Sequence, residues 1–294
     1  MQVSANGVSI EFEEHGSRSG EPLVLIMGLG MQLVAWHQDF VAMLVARGFR
    51  VIRFDNRDSG LSQRFDQYGV PNLAFESLKF AAGIKIKAPY GIADMADDTA
   101  ALLDSLGIAR THICGASMGG MIAQHLAVRH PQRVASLTLI MTSSGSRKLP
   151  GPTLKIRSAL ISRPADANDL RSVIAHHVKF YRLIGSPGYP ASEHSLHERL
   201  GSAVRRAYRP AGLARQMVAI AADGDRSALL SRIRQPTQIV HGEADPLVPV
   251  AAGVDLVARI VGAKADLIAG MGHDLPPELW PRYVSAIASA AGRA

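Results

Sequence analysis

Thr111-His112-Ile113-Cys114-Gly115-Ala116-Ser117-Met118-Gly119-Gly120 runs from a short apolar, strand-like segment straight into a helix-forming stretch that continues to His130. The change of period within so few residues sets Ser117 at the apex of a strand-to-helix turn, with its side chain projecting from the end of a sheet. Strand and helix backbones crowd at such a turn, so small residues are needed two before and two after, which Gly115 and Gly119 supply. The helix N-terminus behind Ser117 adds unpaired N–H groups and a positive dipole, suited to an oxyanion. Ser117 is therefore the candidate nucleophile. Cys114, just before the turn, reads as buried strand filler.

A hydroxyl needs a base, and the base needs an orienting carboxylate. His273, in Gly270-Met271-Gly272-His273-Asp274, directly follows the last strand-like segment. Asp245, in His241-Gly242-Glu243-Ala244-Asp245, follows the one before it. Catalytic groups of a parallel sheet gather at the carboxyl ends of its strands, and all three residues fall there, in the order Ser, Asp, His. Glu243 is a rival acid nearer its strand. Asp274 reads as a loop carboxylate, because sequence neighbours seldom face each other. His176-His177 lies on a helix with no further ligand at four-residue spacing, so a metal site is not expected.

The rest of the chain supports a sheet of that kind. Val8 to Phe12 alternates like a half-exposed edge strand, while Leu23-Val24-Leu25-Ile26-Met27 is an unbroken apolar run suited to a strand buried on both faces. Strand at Arg50–Phe54, helix at Ile92–Leu106, strand at Thr111–Cys114, helix at Met118–His130 and strand at Val134–Met141 then alternate, the mark of βαβ units. From Ser143 strand signals stop. Helical segments follow at Leu154–Ser162, Asp169–Ile184, Glu193–Tyr208 and Gly212–Ala222, and strands return at Thr237–Val240 and Ala265–Ile268. The expected division is a core of residues 1–142 and 223–294 with a helical cap at 143–222. Leu61 to Tyr90 reads as an irregular stretch over the same edge.

The 294 residues are 47% hydrophobic and 19% charged, which excludes disordered and collagen-like chains. No apolar run is long enough to span a membrane, and the first residues lack a secretory leader's basic and apolar regions. A single cysteine excludes an intrachain disulfide, so a cytoplasmic protein is expected. The formal charge is +7. Between Ser143 and Gln235 stand 16 Lys/Arg against 6 Asp/Glu, leaving the remainder of the chain slightly acidic. These cations are spread singly, without the interleaved aromatic residues of a base-stacking surface, so no nucleic-acid partner is expected. A solvated helix face is the favoured reading, and a field favouring acidic substrates or an anionic surface is the other.

These motifs resemble the α/β-hydrolase superfamily, in particular the branch with a helical cap after the sixth sheet strand. Besides the Ser117 turn, Asp55-Asn56-Arg57-Asp58-Ser59-Gly60-Leu61-Ser62 is similar to the family's Asp-x-Arg-x-x-Gly-x-Ser segment, and His241-Gly242-x-x-Asp245-x-x-Val248-Pro249 and Gly272-His273 complete the set. The segment around Gly28-Leu29-Gly30, with Trp36 and Arg53-Phe54-Asp55, resembles bacterial carboxylesterases of the aclacinomycin methylesterase type. The resemblance implies a mainly parallel eight-stranded sheet flanked by helices, with Ser117 as nucleophile, His273 as base and Asp245 as orienting acid. It further implies an oxyanion hole from the backbone N–H groups of Leu29 and Met118, and no metal or organic cofactor. Many relatives carry His-Gly where this chain has Met27-Gly28, a change that spares a main-chain donor.

The implied activity is hydrolysis of a small to medium, mainly apolar ester through an acyl-enzyme. His273 must be neutral to act, so kcat/KM is expected to fall at acid pH. The alternatives are a C–C bond hydrolase of the meta-cleavage type, a cofactor-free perhydrolase or haloperoxidase, and a non-catalytic binding protein. Dehalogenases and epoxide hydrolases use Asp where this chain has Ser117. Met217, Leu213, Tyr181, Phe180 and Leu183 of the cap either line the pocket or pack its interior, with packing favoured. The oligomeric state is open, with a homodimer as the candidate.

Overall fold

A computed structural model describes residues 1–292. Eight strands form one sheet: β1 (Gln2–Ala5), β2 (Val8–His15), β3 (Glu21–Ile26), β4 (Phe49–Phe54), β5 (Thr111–Ala116), β6 (Val134–Ile140), β7 (Thr237–Gly242) and β8 (Lys264–Ile268). Their spatial order is β1-β2-β4-β3-β5-β6-β7-β8. The β1–β2 and β2–β4 pairs are antiparallel and all others parallel. Helices α1 (Gln38–Ala46), α3 (Ile92–Ser105), α4 (Met118–Arg129), α10 (Ala251–Arg259) and α11 (Trp280–Ala290) supply the crossovers and flanks.

The unbroken run in β3 is explained by two-sided burial. Leu23 and Leu25 join the core against α1 and α11, with Val41, Leu44 and Ile287, whereas Val24 and Ile26 join the core against α3 and α4, with Leu102, Ile122 and Leu126. Side chains alternate across a strand, so a sheet covered on both faces needs apolar residues at every position. Cys114 is fully buried in the first of these cores.

Two local expectations are corrected. Val8–Phe12 has the half-buried alternation of a sheet margin, but β2 is not the edge. Asn6 and Gly7 take φ of 53° and 71° and fold Gln2–Ala5 back upon it as β1. An Asn-Gly pair with both φ positive makes a tight hairpin turn. Leu61 to Tyr90 is not wholly irregular either. It holds α2 (Leu73–Ala81), opened by the Asn72 side chain accepting from the Phe75 N–H at 3.1 Å. None of the α2 residues is buried.

Between β6 and β7 the chain forms α5 (Leu154–Leu160), α6 (Leu170–Ile184), α7 (Glu193–Arg206), α8 (Pro210–Asp223) and the single turn α9 (Ser227–Leu230). Residues 154–223 thus carry helices and no strand. The reading of their cations as a solvated face fails for three arginines. Arg215, 1% exposed, donates to both carboxylate oxygens of Asp58 at 2.7 Å. Arg206 reaches the fully buried Asp55 at 2.7 Å, and Arg209 donates to the Ser62 carbonyl at 2.7 Å. The excess positive charge of the insert is partly its means of attachment to the acidic segment after β4. Removing one partner of such a buried pair leaves an uncompensated charge and costs about 3–5 kcal/mol.

Candidate active site

The strand-to-helix turn is as tight as its glycines require. A side-chain carbon on Gly115 would collide with the Gly119 carbonyl, and one on Gly119 with the Ile26 carbonyl of β3. Ser117 sits between β5 and α4 at φ 54° and ψ −119°, a conformation that costs a non-glycine residue about 1–3 kcal/mol. The surroundings hold it there: its N–H donates to the Ile140 carbonyl at 2.9 Å, and its carbonyl accepts from the Thr142 hydroxyl at 2.7 Å. No spacing or motif in the sequence marks Thr142 for this role.

The Ser117 Oγ lies 3.0 Å from His273 Nε2, and His273 Nδ1 lies 2.7 Å from Asp245 Oδ2. A carboxylate can only accept, so it calls for the ring proton on Nδ1 and leaves Nε2 to accept from the serine hydroxyl. The other Asp245 oxygen accepts from the Leu247 and Val248 N–H groups at 2.9 and 2.8 Å. Of the rival acids, Glu243 is exposed, and Asp274 accepts a hydrogen bond from the Ser186 hydroxyl instead. Burial holds the Asp274 carboxyl above the ordinary carboxylate range.

His273 is fastened from the insert. Its N–H donates to the Ile184 carbonyl at 2.7 Å, and the preceding Gly272 N–H donates to Ser186 Oγ at 2.8 Å. Nothing in the spacing of Ile184 and Ser186 announces this.

The loop after β3 faces Ser117 closely: a side-chain carbon on Gly28 would lie 3.1 Å from Ser117 Cβ. Met118 opens α4, and the first N–H groups of a helix have no intrahelical acceptor. The loop is tied down at several points. Asn56 Nδ2 donates to the Met27 carbonyl at 2.9 Å, Gly30 N–H to Gln216 Oε1 at 2.8 Å, and Leu33 N–H to Asp55 Oδ1 at 2.7 Å. Gln216 is fully buried on α8 and donates in turn to the Arg57 carbonyl. These ties explain much of the Asp55–Ser62 motif.

Above the serine opens a cavity of about 590 Å³, bordered by Gly28, Leu29, Ser117 and His273 below and by the insert above. Phe180, Tyr181, Leu213 and Met217 line it, contrary to the favoured reading that they pack the insert's interior; Leu183 is not among the lining residues. Two arginines border the cavity, the exposed Arg163 and the half-buried Arg199. The guanidinium of Arg199 lies 5.8 Å from the centre of the Tyr181 ring, and its Nη2 is buried without a hydrogen-bond partner.

Residues 21–179, more than half of the chain, match the model of the alpha/beta hydrolase fold family. The chain belongs to that family and is a hydrolase by class. Along 97% of its length it is 28% identical to rhodomycin D methylesterase DnrP of Streptomyces peucetius, covering 95% of that protein. It is 30% identical to the putative carbamate hydrolase RutD of Variovorax paradoxus, over 90% of this chain and 89% of that one. Among solved structures, the enol-lactonase of Burkholderia xenovorans LB400 superposes with a TM-score of 0.76 at 23% identity, covering 99% of this chain and all of that one. That likeness shows the fold alone.

Proposed function

We propose that the protein is a serine carboxylic-ester hydrolase working through an acyl-enzyme. Ser117 Oγ attacks the ester carbonyl while His273 Nε2 takes its proton, and Asp245 holds the imidazole and offsets its developing charge. The Leu29 and Met118 N–H groups receive the oxyanion; losing one such donor typically costs about 10²–10³ in kcat. His273 then protonates the departing alcohol. Water, deprotonated by the same imidazole, releases the acid. Apart from the ester and water, no group outside the chain is required for these steps.

The observation that carries the reading is the continuous run from Asp245 through His273 to Ser117, at 2.7 and 3.0 Å, opening into the cavity. The mostly apolar lining suits a small to medium apolar ester, and the similarity to a methylesterase adds support. We take residues 143–222 to act as a cap over that substrate, and the cytoplasm, on the single cysteine, as the compartment.

One observation favours a second reading. The unpaired nitrogen of Arg199 in the cavity wall suits a carboxylate-bearing substrate, such as that of a C–C bond hydrolase. Hydrolysis of p-nitrophenyl esters from acetate to decanoate decides between them. Turnover that vanishes in Ser117→Ala is the expected result, and the chain-length optimum sizes the pocket. A folded protein that ignores every ester yet cleaves a meta-cleavage product, followed by loss of its ultraviolet band, would overturn the esterase reading.

A further inference from the structure

A helix normally buries one face, yet no residue of α2 is fully buried, and its half-buried face is Leu73, Glu76 and Lys79. Phe75 is 58% exposed, Leu78 69% and Ile84, just beyond the helix, 54%. Val70, at 65%, continues the apolar surface to the rim of the cavity, where it lines the mouth with Pro71 and Leu73. Residues 159–164, at the end of α5, form another part of the same rim, and Leu154 on α5 is 82% exposed. Large apolar side chains are thus concentrated around the cavity entrance, where a monomeric protein in water gains nothing from them.

Cations are set among these side chains. Lys79 Nζ lies 5.5 Å from the centre of the Phe75 ring, and the Arg147 guanidinium 4.6 Å from that of Phe80. Arg163 borders the mouth, and Lys85, Lys87, Lys148, Lys155 and Arg157 are exposed nearby in the chain. Residues 61–90 and 147–171 together carry ten Lys/Arg against four Asp/Glu. Lys79 is paired with Glu76 and Arg64 with Asp66, but the excess of cations remains. Apolar and aromatic residues mixed with a net excess of cations are the pattern of a surface that enters the headgroup region of an anionic membrane. A symmetric second copy is disfavoured, because a two-fold interface would lay this positive face upon itself.

We propose that the face formed by α2, α5 and the cavity rim docks on anionic lipid bilayers, so that the cavity opens toward the membrane surface. Phe75, Leu78 and Ile84 enter the interface, and the surrounding lysines and arginines meet the lipid headgroups. The cytoplasmic leaflet is the anionic one, in keeping with the compartment proposed above. The inference rests on the exposed face and not on the ester chemistry, so it stands or falls by binding alone.

The test is co-sedimentation of the full chain with phosphatidylcholine vesicles and with vesicles in which part of that lipid is replaced by phosphatidylglycerol. Binding at least about tenfold stronger to the anionic vesicles, reversed by high salt, is expected. The double variant Phe75→Ser/Leu78→Ser loses that binding with an unchanged circular dichroism spectrum, and Lys85→Glu/Lys87→Glu weakens it. Equal binding to both vesicle types, no binding to either, or binding indifferent to all four substitutions would overturn the proposal. So would a concentration-dependent dimer in analytical ultracentrifugation that Phe75→Ser/Leu78→Ser dissociates.

Discussion

The floor and the roof of the cavity are built by different means. The floor is held by backbone geometry: Ser117, Asp245 and His273 stand on loops at the ends of β5, β7 and β8, and main-chain groups fix each of them directly, His273 through the Ile184 carbonyl of the insert. The roof is held by side chains reaching across the chain, Arg215 to Asp58, Arg206 to Asp55 and Gln216 to Gly30. A substitution in the floor should therefore cost chemistry, and one in the roof stability or alignment.

The largest effect expected after loss of Ser117 is that of Asp245→Asn. It keeps the shape but permits the wrong imidazole tautomer, and should lower kcat by about 10⁴ with little change in melting temperature. Stopped assays on purified protein, with calorimetry alongside, read both quantities. A fall in stability as large as the fall in rate would erase the contrast between floor and roof.

Arg215→Met should do the reverse. Stranding the Asp58 carboxylate in a buried site costs about 3–5 kcal/mol, measurable by urea unfolding, while the residual folded enzyme keeps its chemistry. Gln216→Ala sits between the two. It removes the acceptor of the part-buried Gly30 N–H, worth about 0.5–1.5 kcal/mol, beside the proposed oxyanion donor Leu29. We expect kcat to fall more than KM rises; an unchanged kcat would detach the roof from catalysis.

Acid sharpens the same contrast by a smaller amount. Burial would raise the Asp58 carboxyl, but hydrogen bonds from Arg215, Tyr90 and the Phe65 N–H outweigh it and hold it below the usual carboxylate range. A carboxyl lowered in the folded state adds stability above its unfolded value, about pH 4, and that contribution is lost as the pH falls further. Urea midpoints should thus drop below about pH 4, and Asp58→Asn should flatten that part of the profile. Identical slopes in the two proteins would show that Asp58 is not the group responsible.

The same contrast governs what could be read from the sequence. Each floor residue sits where the backbone is constrained, and constraint leaves small residues behind: Gly115 and Gly119 around Ser117, Gly242 ahead of Asp245, Gly272 ahead of His273. The parallel sheet was equally legible, because two-sided burial writes an unbroken apolar run such as Leu23–Ile26. The roof left no such trace. Arg206 and Arg215 fall on amphipathic helices among exposed cations, and helical spacing does not distinguish a guanidinium in water from one buried against a carboxylate far away in sequence. Gln216 and Thr142 act through single hydrogen bonds to main-chain atoms, which no spacing encodes. Two local signals were present and passed over: Asn6-Gly7, which turns β1 onto β2, and Asn72, which opens α2.

The most direct test of the account is covalent labelling with a fluorophosphonate, which reacts only with a serine activated by a base in a working oxyanion hole. The account predicts one adduct per chain, on the peptide carrying Ser117, none in Ser117→Ala, and strongly slowed labelling in His273→Ala. Labelling of another serine, or no labelling of the folded wild-type protein, would contradict it.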